Sequence, residues 1–525
     1  MKAKLTKEDI KNILQARFLD DKHQKLSDIP KPHLFKDMKK ASKRIVEAIQ
    51  NKQKIAIVGD YDADGVVSSV ILTEFFDDIG VKYSLKIPNR FRDGYGISKA
   101  IVENLDADVV ITVDNGISAV EAAKVCKQKG IDLIITDHHT TPEVLPDAFA
   151  IVDPKQKDCS FPNSNICGAQ VAWYLVGKIK DDLGLEYNLG KFLDILAIAI
   201  IADMMPLTDI NRVMVKSGLK SLNHSKRAFV QAIKDFYNKD KFGSEDISFL
   251  LAPLINSTGR LEDASLSYDL LREKDLNRAF IELDYIVTLN QQRKQIESDL
   301  VDEATKMIDE SKDIIIVWGK DWHEGVIGIV AARLSRRYKK PAIVFSVTDD
   351  KAKGSARSVG EIDILEHITK CSEFLLGFGG HKGAAGMGLE VEKLESFKEA
   401  MESSLATEPK ENFIEKKTVL GEVDLNALDF ELLDILEEYE PYGQKNPKPR
   451  FLISDAYVKY ESLLGKDKNH QKITIANNNN KIEAIHFNHD RKVNCGENIN
   501  FTCTVNKNNF RGNVSLQLVV DELWA

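Results

Sequence analysis

The chain has 525 residues, 43% of them hydrophobic and 29% charged, and a formal charge of −9. At about 150 residues per domain this length asks for three or four folded units. The acidic balance excludes a protein that coats nucleic acid, though not an enzyme with a locally basic channel.

No apolar run reaches the roughly 18 residues of a membrane span, and the start, MKAKLTKEDIKN, is charged where a leader would be apolar. Both predict a cytoplasmic protein. The six cysteines are scattered without a C-x-x-C pair and read as reduced thiols.

Residues 1–50 form an N-terminal segment ahead of the first regular pattern. Between 51 and 265 the runs KIAIVG, KYSLKIP, DVVITV, DLIIT and AFAIV are short, continuous and rich in Val and Ile. Such runs predict strands of a parallel sheet covered on both faces. Helices such as ISAVEAAKVCKQKG, closed by Gly130, fill the crossovers, and the chain turns helical from about 168. Over 266–312, Phe280, Leu283, Val287, Ile296, Leu300 and Met307 recur mostly at helical spacing without an interrupting Gly or Pro. That spacing predicts a long helix bridging two domains.

A second α/β pattern, DIIIVWG, VIGIVAARLSRRY and PAIVFSV, occupies 313–405. A linker region, 406–449, ends in the Pro- and Gly-rich PYGQKNPKPRF. From 450 to 525 the short alternating runs KITIA, KIEAIHF, INFTCTV and SLQLVVDELW, parted by NNNN and NNFRGN, predict an OB-like β-barrel. From Tyr442 onward twelve Lys/Arg face eight Asp/Glu, a charge of +4 that leaves −13 for the remainder. The barrel, with Phe487, Phe501 and Phe510 among its strands, either tracks a single strand by stacking bases, or braces the cleft or docks a protein with those aromatics as its core.

Four of the five apolar strands of the first half end in acid: Asp60, Asp62 and Asp64; Asp114; Asp137 with His138 and His139; Asp153. Asp203 follows the apolar LAIAIIA. In an open parallel sheet the carboxyl ends of the strands share one edge, where ligands bind. A single aspartate there is a cap or turn residue, and Asp153 before Pro154 reads as one. A D-x-D-x-D run joined by two histidines does not. Two unit charges 4 Å apart repel by roughly 4 kcal/mol at an effective dielectric of 20, so the cluster needs a cation. Oxygen-rich ligation with one or two imidazoles suits Mn²⁺ or Mg²⁺. The carboxylates suffice for two ions, the arrangement that clamps both oxygens of an in-line phosphoryl displacement.

The stretches DYDADG, VDNGIS, TDHHT and IADMMPL resemble the four motifs of the DHH phosphoesterase superfamily, and GSARS and GFGGHKGAAG resemble its DHH-associated domain. APLINSTGRLEDAS and EEYEPYGQKNPKPRF are similar to the single-strand-specific exonucleases of that superfamily, so the resemblance spans about 55 to 525. It implies two α/β domains, a DHH domain with a parallel sheet and a DHH-associated domain, bridged by a long helix and followed by the barrel.

Carried over by residue, the resemblance makes Asp62, Asp64, Asp114, His138 and Asp203 metal ligands, with Asp114 joining two ions. Asp137 orients an imidazole and His139 faces the phosphate. Asp60 stays open as a ligand, because Val58 stands where some members carry a histidine. Ser355, Arg357, Ser358 and His381 become binders of the nucleic-acid backbone. Arg90, Arg92, Tyr95 and His323 either contact substrate or shape turns, while Met204, Met205 and the tryptophans read as core.

The implied activity is a metal-dependent 5′→3′ exonuclease on single-stranded DNA that releases 5′-mononucleotides in repair and recombination. It would act as a monomer, with a single-stranded DNA-binding protein and a RecQ-type helicase as partners. A phosphodiesterase of dinucleotides or short oligonucleotides is a second reading, which would leave the barrel without use. A catalytically inactive scaffold for replication proteins is a third, opposed by the retained ligands.

Overall fold

The computed structural model describes residues 4–415, 418–465, 468–476, 481–487, 489, 491–510 and 513–524, without the side chains of 509, 510 and 513. After a first helix, α1 (Lys7–Ala16), the chain enters a sheet of β1 (Ile55–Val58), β2 (Tyr83–Lys86), β3 (Val109–Val113), β4 (Asp132–Thr136) and β5 (Ala150–Val152). All pairings are parallel, in the order β2-β1-β3-β4-β5. Successive side chains of a strand point to opposite faces. Ile55 and Ile57 accordingly join one core while Ala56 and Val58 join another on the far side. The continuous apolar runs reflect this burial on both faces.

The larger core lies under α2 (Ala63–Asp78), α3 (Gly168–Asp182) and α4 (Leu193–Ala202), and further helices, among them α5 (Ala252–Leu261), complete the domain. The bridging helix, α6 (Leu276–Thr305), is 30 residues long; the stretch before it forms a separate helix, Ser265–Arg272. Beyond α6 a mixed sheet of β6 (Ile315–Lys320), β7 (Ala342–Thr348), β8 (Lys351–Arg357), β9 (Gly377–His381) and β10 (Ala384–Glu390) runs in the order β6-β7-β8-β10-β9. Helix α7 (Glu324–Tyr338) packs on β7 and β8.

Strands β12 (Arg450–Leu464), β13 (His470–Ala476), β14 (Lys481–His486), β15 (Asn498–Phe510) and β16 (Asn513–Trp524) pair in the order β12-β13-β14-β16-β15. The β12–β15 pairing closes them into a barrel, and β11 (Gly421–Glu422) adds to β12. Among the described residues no helix is long and apolar enough to cross a membrane.

Several positions differ from their sequence reading. Residues 1–50 divide between two cores: Ile10 and Leu14 of α1 pack with Leu432, Leu436, Phe451 and other barrel-side residues, while Phe35, Met38 and Ile45 pack beneath the first sheet. Amphipathic spacing marks a buried face without naming its partner. Met204 is 69% exposed, turned outward by a φ of +53° just past the end of α4. Trp173 and Trp322 are buried, but Trp524 is exposed. Phe501 is fully buried in the barrel core, so it cannot stack on a base, whereas Phe487 is half exposed; the Phe510 side chain lies outside the described residues.

Candidate metal centre and active site

The backbone of the first domain brings the acidic strand ends together. Asp62 caps α2, its Oδ1 accepting from the amides of Asp64 (3.0 Å) and Gly65 (3.1 Å). This is the usual use of an aspartate at a helix start, and it leaves Oδ2 free. Asp64 sits in the first turn of α2 and accepts from Gly168 N at 2.6 Å and Ala169 N at 2.9 Å, the opening amides of α3. Position 168 requires glycine, because a Cβ there would stand 2.3 Å from Asp114 Oδ1.

Asp114 has a φ of +64°, a left-handed backbone that costs a non-glycine residue energy and that clusters at functional sites. Asn115 locks that turn. Its Nδ2 donates to the carbonyls of Val58, Gly59 and Val113, and its Oδ1 accepts from Ile97 N.

His138 occupies the centre. Its Nε2 lies 3.2 Å from Asp114 Oδ1, 3.5 Å from Asp203 Oδ2 and 3.7 Å from Asp64 Oδ2. Ligand atoms of Asp60, Asp62 and Asp114 gather within 4.8 Å, as do those of Asp64, His138 and Asp203, and those of Asp114, His138 and His139. Asp114 and His138 each belong to two of these groups, so adjacent sites share them.

The electrostatics are those of a cation site. Burial, then the charge of Asp62, raises the carboxyls of Asp60 and Asp64, the latter to about 6. Burial, then Asp64, raises Asp114 well above the carboxylate range and Asp203 to about 9. Burial lowers His138 to about 3, so it is a neutral imidazole, the form that ligates metal. Asp114 Oδ1 and Asp203 Oδ2 are buried without hydrogen-bond partners. Unpartnered buried oxygens beside a neutral imidazole fit a divalent ion.

Asp137 faces a different task. Burial opposes its charge most, but the hydrogen bond and charge of His139, with His138 and the Ile117 amide, together hold it below the usual carboxylate range. Its Oδ1 accepts from the amides of His138 and His139 and meets His139 Nδ1 at 2.7 Å, while Oδ2 accepts from Ile117 N. Against its own burial, His139 is raised to about 9 by this partner, and its Nε2 points toward Tyr95 Oη at 3.4 Å. His139 is therefore a held cation at the rim.

Arginines gather beside the acidic strand ends. Arg90 stacks 4.0 Å from the centre of the Tyr61 ring and donates to Gly259 O. Arg260 donates to Gly325 O of the second domain. Burial, with Arg90, Arg293 and Arg357 nearby, lowers it to about 10, and Asp62 acts in the other direction. Arg357, at the end of β8, bonds Ala356 O and Ser355 Oγ beside a cavity of about 450 Å³ bordered by Arg336, Ser358 and Lys382.

The remaining candidates are also engaged. Ser358 Oγ donates to Ile362 O and supports its loop. His323 caps α7 and meets Phe91 edge-on at 5.5 Å. His381 is exposed on the outer strand β9, and Arg92 pairs with Asp263. Sequence reasoning missed Arg260, Asn115, Gly168 and Asn256, whose Oδ1 accepts from Ala63 N at the start of α2. Asn256 and Arg260 lie in APLINSTGRLEDAS, a stretch whose local pattern is only that of a helix.

Comparison with known proteins fits this geometry. Residues 54–200 match the DHH family, N-terminal domain, residues 311–407 the DHHA1 domain, and residues 421–522 the RecJ OB domain. The single-stranded-DNA-specific exonuclease RecJ of Haemophilus influenzae is 32% identical over 533 residues, covering 94% of this chain and 92% of that protein.

The chain belongs to the RecJ family.

The Bacillus subtilis RecJ is 36% identical over 484 residues, which cover 89% of this chain and 60% of that longer protein. The crystal structure of Thermus thermophilus RecJ with Mn²⁺ superposes with a TM-score of 0.82 at 25% identity, over 94% of this chain and 72% of that one. The same protein with Mg²⁺ gives a TM-score of 0.80 at 24% identity, over 98% and 74%. RecJ proteins of this fold thus crystallise with both ions that the oxygen-rich donor set favours.

Proposed function

We propose that this chain is a 5′→3′ exonuclease that degrades single-stranded DNA to 5′-mononucleotides. The observation that carries the reading is the juxtaposition of linked acid–imidazole groups with the arginines Arg90, Arg260 and Arg357. One surface takes cations and the other takes phosphate. Asp60, Asp62 and Asp114 would hold one ion, and Asp64, His138 and Asp203 another. When bound, two such ions would supply a water of lowered pKa and a clamp on the attacking and leaving oxygens.

The residues of the chain do the positioning. Asp137 fixes the His139 ring, and His139 Nε2 donates to a non-bridging oxygen of the scissile phosphate. Arg357 presents its fork to the phosphate backbone, with Ser355 holding one guanidinium nitrogen. Arg90 and Arg260 neutralise charge at the strand end. The barrel contributes exposed aromatics, Tyr457, Tyr460, Phe487 and Trp524, on which bases can stack. In this reading the enzyme works as a cytoplasmic monomer, supplied with strands by a single-stranded DNA-binding protein and a RecQ-type helicase.

A degradation assay tests the proposal with 5′- and 3′-labelled single and double strands in Mn²⁺, Mg²⁺ or EDTA. The expected result is mononucleotide release from the 5′ label of single strands only, abolished by EDTA. Release from the 3′ end, or turnover confined to dinucleotides, overturns it.

A further inference from the structure

The helical run Ser244–Leu261 is interrupted by one π-helical stretch, Ile247–Leu251, just before Pro253. π turns are rare, come mostly as single turns within α-helices, and are frequent at functional sites. This one presents Phe249, which is 80% exposed. The cost of leaving an aromatic ring in water, together with an irregular turn, calls for a ligand with an apolar face.

The position of the run says which ligand. At its start Glu245 pairs with Lys448 at 2.8 Å, and Lys448 also bonds Asn506 of β15, so this end abuts the barrel. Toward its other end Asn256 holds Ala63 N beside Asp62 and Asp64, and Arg260 is one of the gathered arginines. Beyond the π turn the run is mostly buried, and of its partly exposed residues Pro253, Asn256 and Arg260 follow Phe249 at steps of three or four, toward the metal centre. Phe249 and Asn256 are seven residues apart, about 10 Å at 1.5 Å per residue. A strand passing from the barrel to the metal centre would run along these residues, with its bases reaching Phe249 about two or three nucleotides from the scissile phosphate.

We propose that Phe249 is a base-stacking platform that holds the DNA strand between the barrel and the metal centre. This rests on the single-strand reading above and adds a residue to it. The side chain acts on bases rather than phosphates, so it tolerates any sequence and contributes to binding.

The test compares the full chain with Phe249→Leu, which keeps apolar bulk without a π face, and Phe249→Tyr, which keeps the face. Because the ring is exposed, neither change threatens folding. On a 12-mer, Phe249→Leu is expected to raise KM about tenfold with the loss confined to KM, and Phe249→Tyr to restore it. In an Asp114→Ala background, which blocks turnover, 2-aminopurine is placed singly at the second to fifth nucleotide from the 5′ end. Its fluorescence should be quenched on binding at one position, and Phe249→Leu should remove that quench. If the unaltered chain degrades single strands but the leucine variant matches it in KM and quench, the platform is overturned while the nuclease reading stands. If the unaltered chain neither binds nor degrades single strands, both fall.

Discussion

The first sheet and the barrel handle their functional side chains in opposite ways. At the carboxyl edge of the first sheet, Asp60, Asp62, Asp64, Asp114 and Asp203 are brought together by the backbone: strand ends, two helix starts, the end of α4, and a left-handed turn at Asp114. In the barrel the strands only alternate, and alternation sends one aromatic ring inward and the next outward. Phe501 is sealed in the core while Phe487 stands half in solvent. A site built on converging backbone makes each residue indispensable. A surface of alternating side chains spreads its work over several.

The sharpest way to break this comparison is at Asp114. Because two ligand groups share it, Asp114→Ala should lower kcat at least ~10³-fold, the scale of losing a principal electrostatic stabiliser. In EDTA the same variant should melt no lower than its parent, since a buried carboxyl oxygen without a hydrogen-bond partner is gone. Residual activity within threefold of the parent in Mn²⁺ would disprove the shared-ligand assignment.

Arg357 lies between the two regimes. Arg357→Ala should cost roughly 10–100-fold in kcat/KM on single strands, the worth of a charge-assisted hydrogen bond, with metal binding retained. Lysine should rescue only part, lacking the planar fork. Equal kinetics in all three proteins would return Arg357 to a structural role in β8.

For the barrel the contrast is between two phenylalanines. Phe501→Ala should destabilise the barrel by about 3–5 kcal/mol through the cavity it leaves. Phe487→Ala should leave melting unchanged and weaken binding of a long oligonucleotide by about 1 kcal/mol or slightly more, the low end of a stacked base. Calorimetry and a binding titration separate the two. Reversed phenotypes would mean that the barrel face has been misread.

The smallest effect concerns protons at the metal centre. In EDTA, folded Asp203 and His139 hold their protons up to about pH 9, whereas in the unfolded chain they titrate near 3.9 and 6.5. Between pH 7 and 9 the folded state therefore binds more protons than the unfolded one, and stability must fall as pH rises. The melting temperature in EDTA should drop by a few degrees over that window, and Mn²⁺ should flatten the curve. A rise with pH in EDTA would contradict the direction of both shifts.

The sequence determined which strands are covered on both faces, because continuous Val/Ile runs can be satisfied only in such a sheet. It also determined that acid at their ends must converge, because parallel strands share one edge. The convergence of Asp62, Asp64, Asp114 and His138 was legible for that reason, Asp203 came from the end of an apolar helix, and their order in the motifs carried the superfamily resemblance. Residues whose meaning depends on a distant partner were not legible. Arg260 is an ordinary helical arginine until its helix is packed between two domains, and Gly168 is an ordinary glycine until Asp114 arrives where a Cβ would sit. The spacing of α1 marks an apolar face, yet only packing decides that Ile10 and Leu14 cover the barrel core, hundreds of residues further along the chain. The burial of Phe501, the exposure of Met204 and the π turn at Phe249 belong to the same class. Local patterns fix what a segment can bury, and the tertiary structure fixes against what, because long-range contacts leave no periodic trace in the segments that make them.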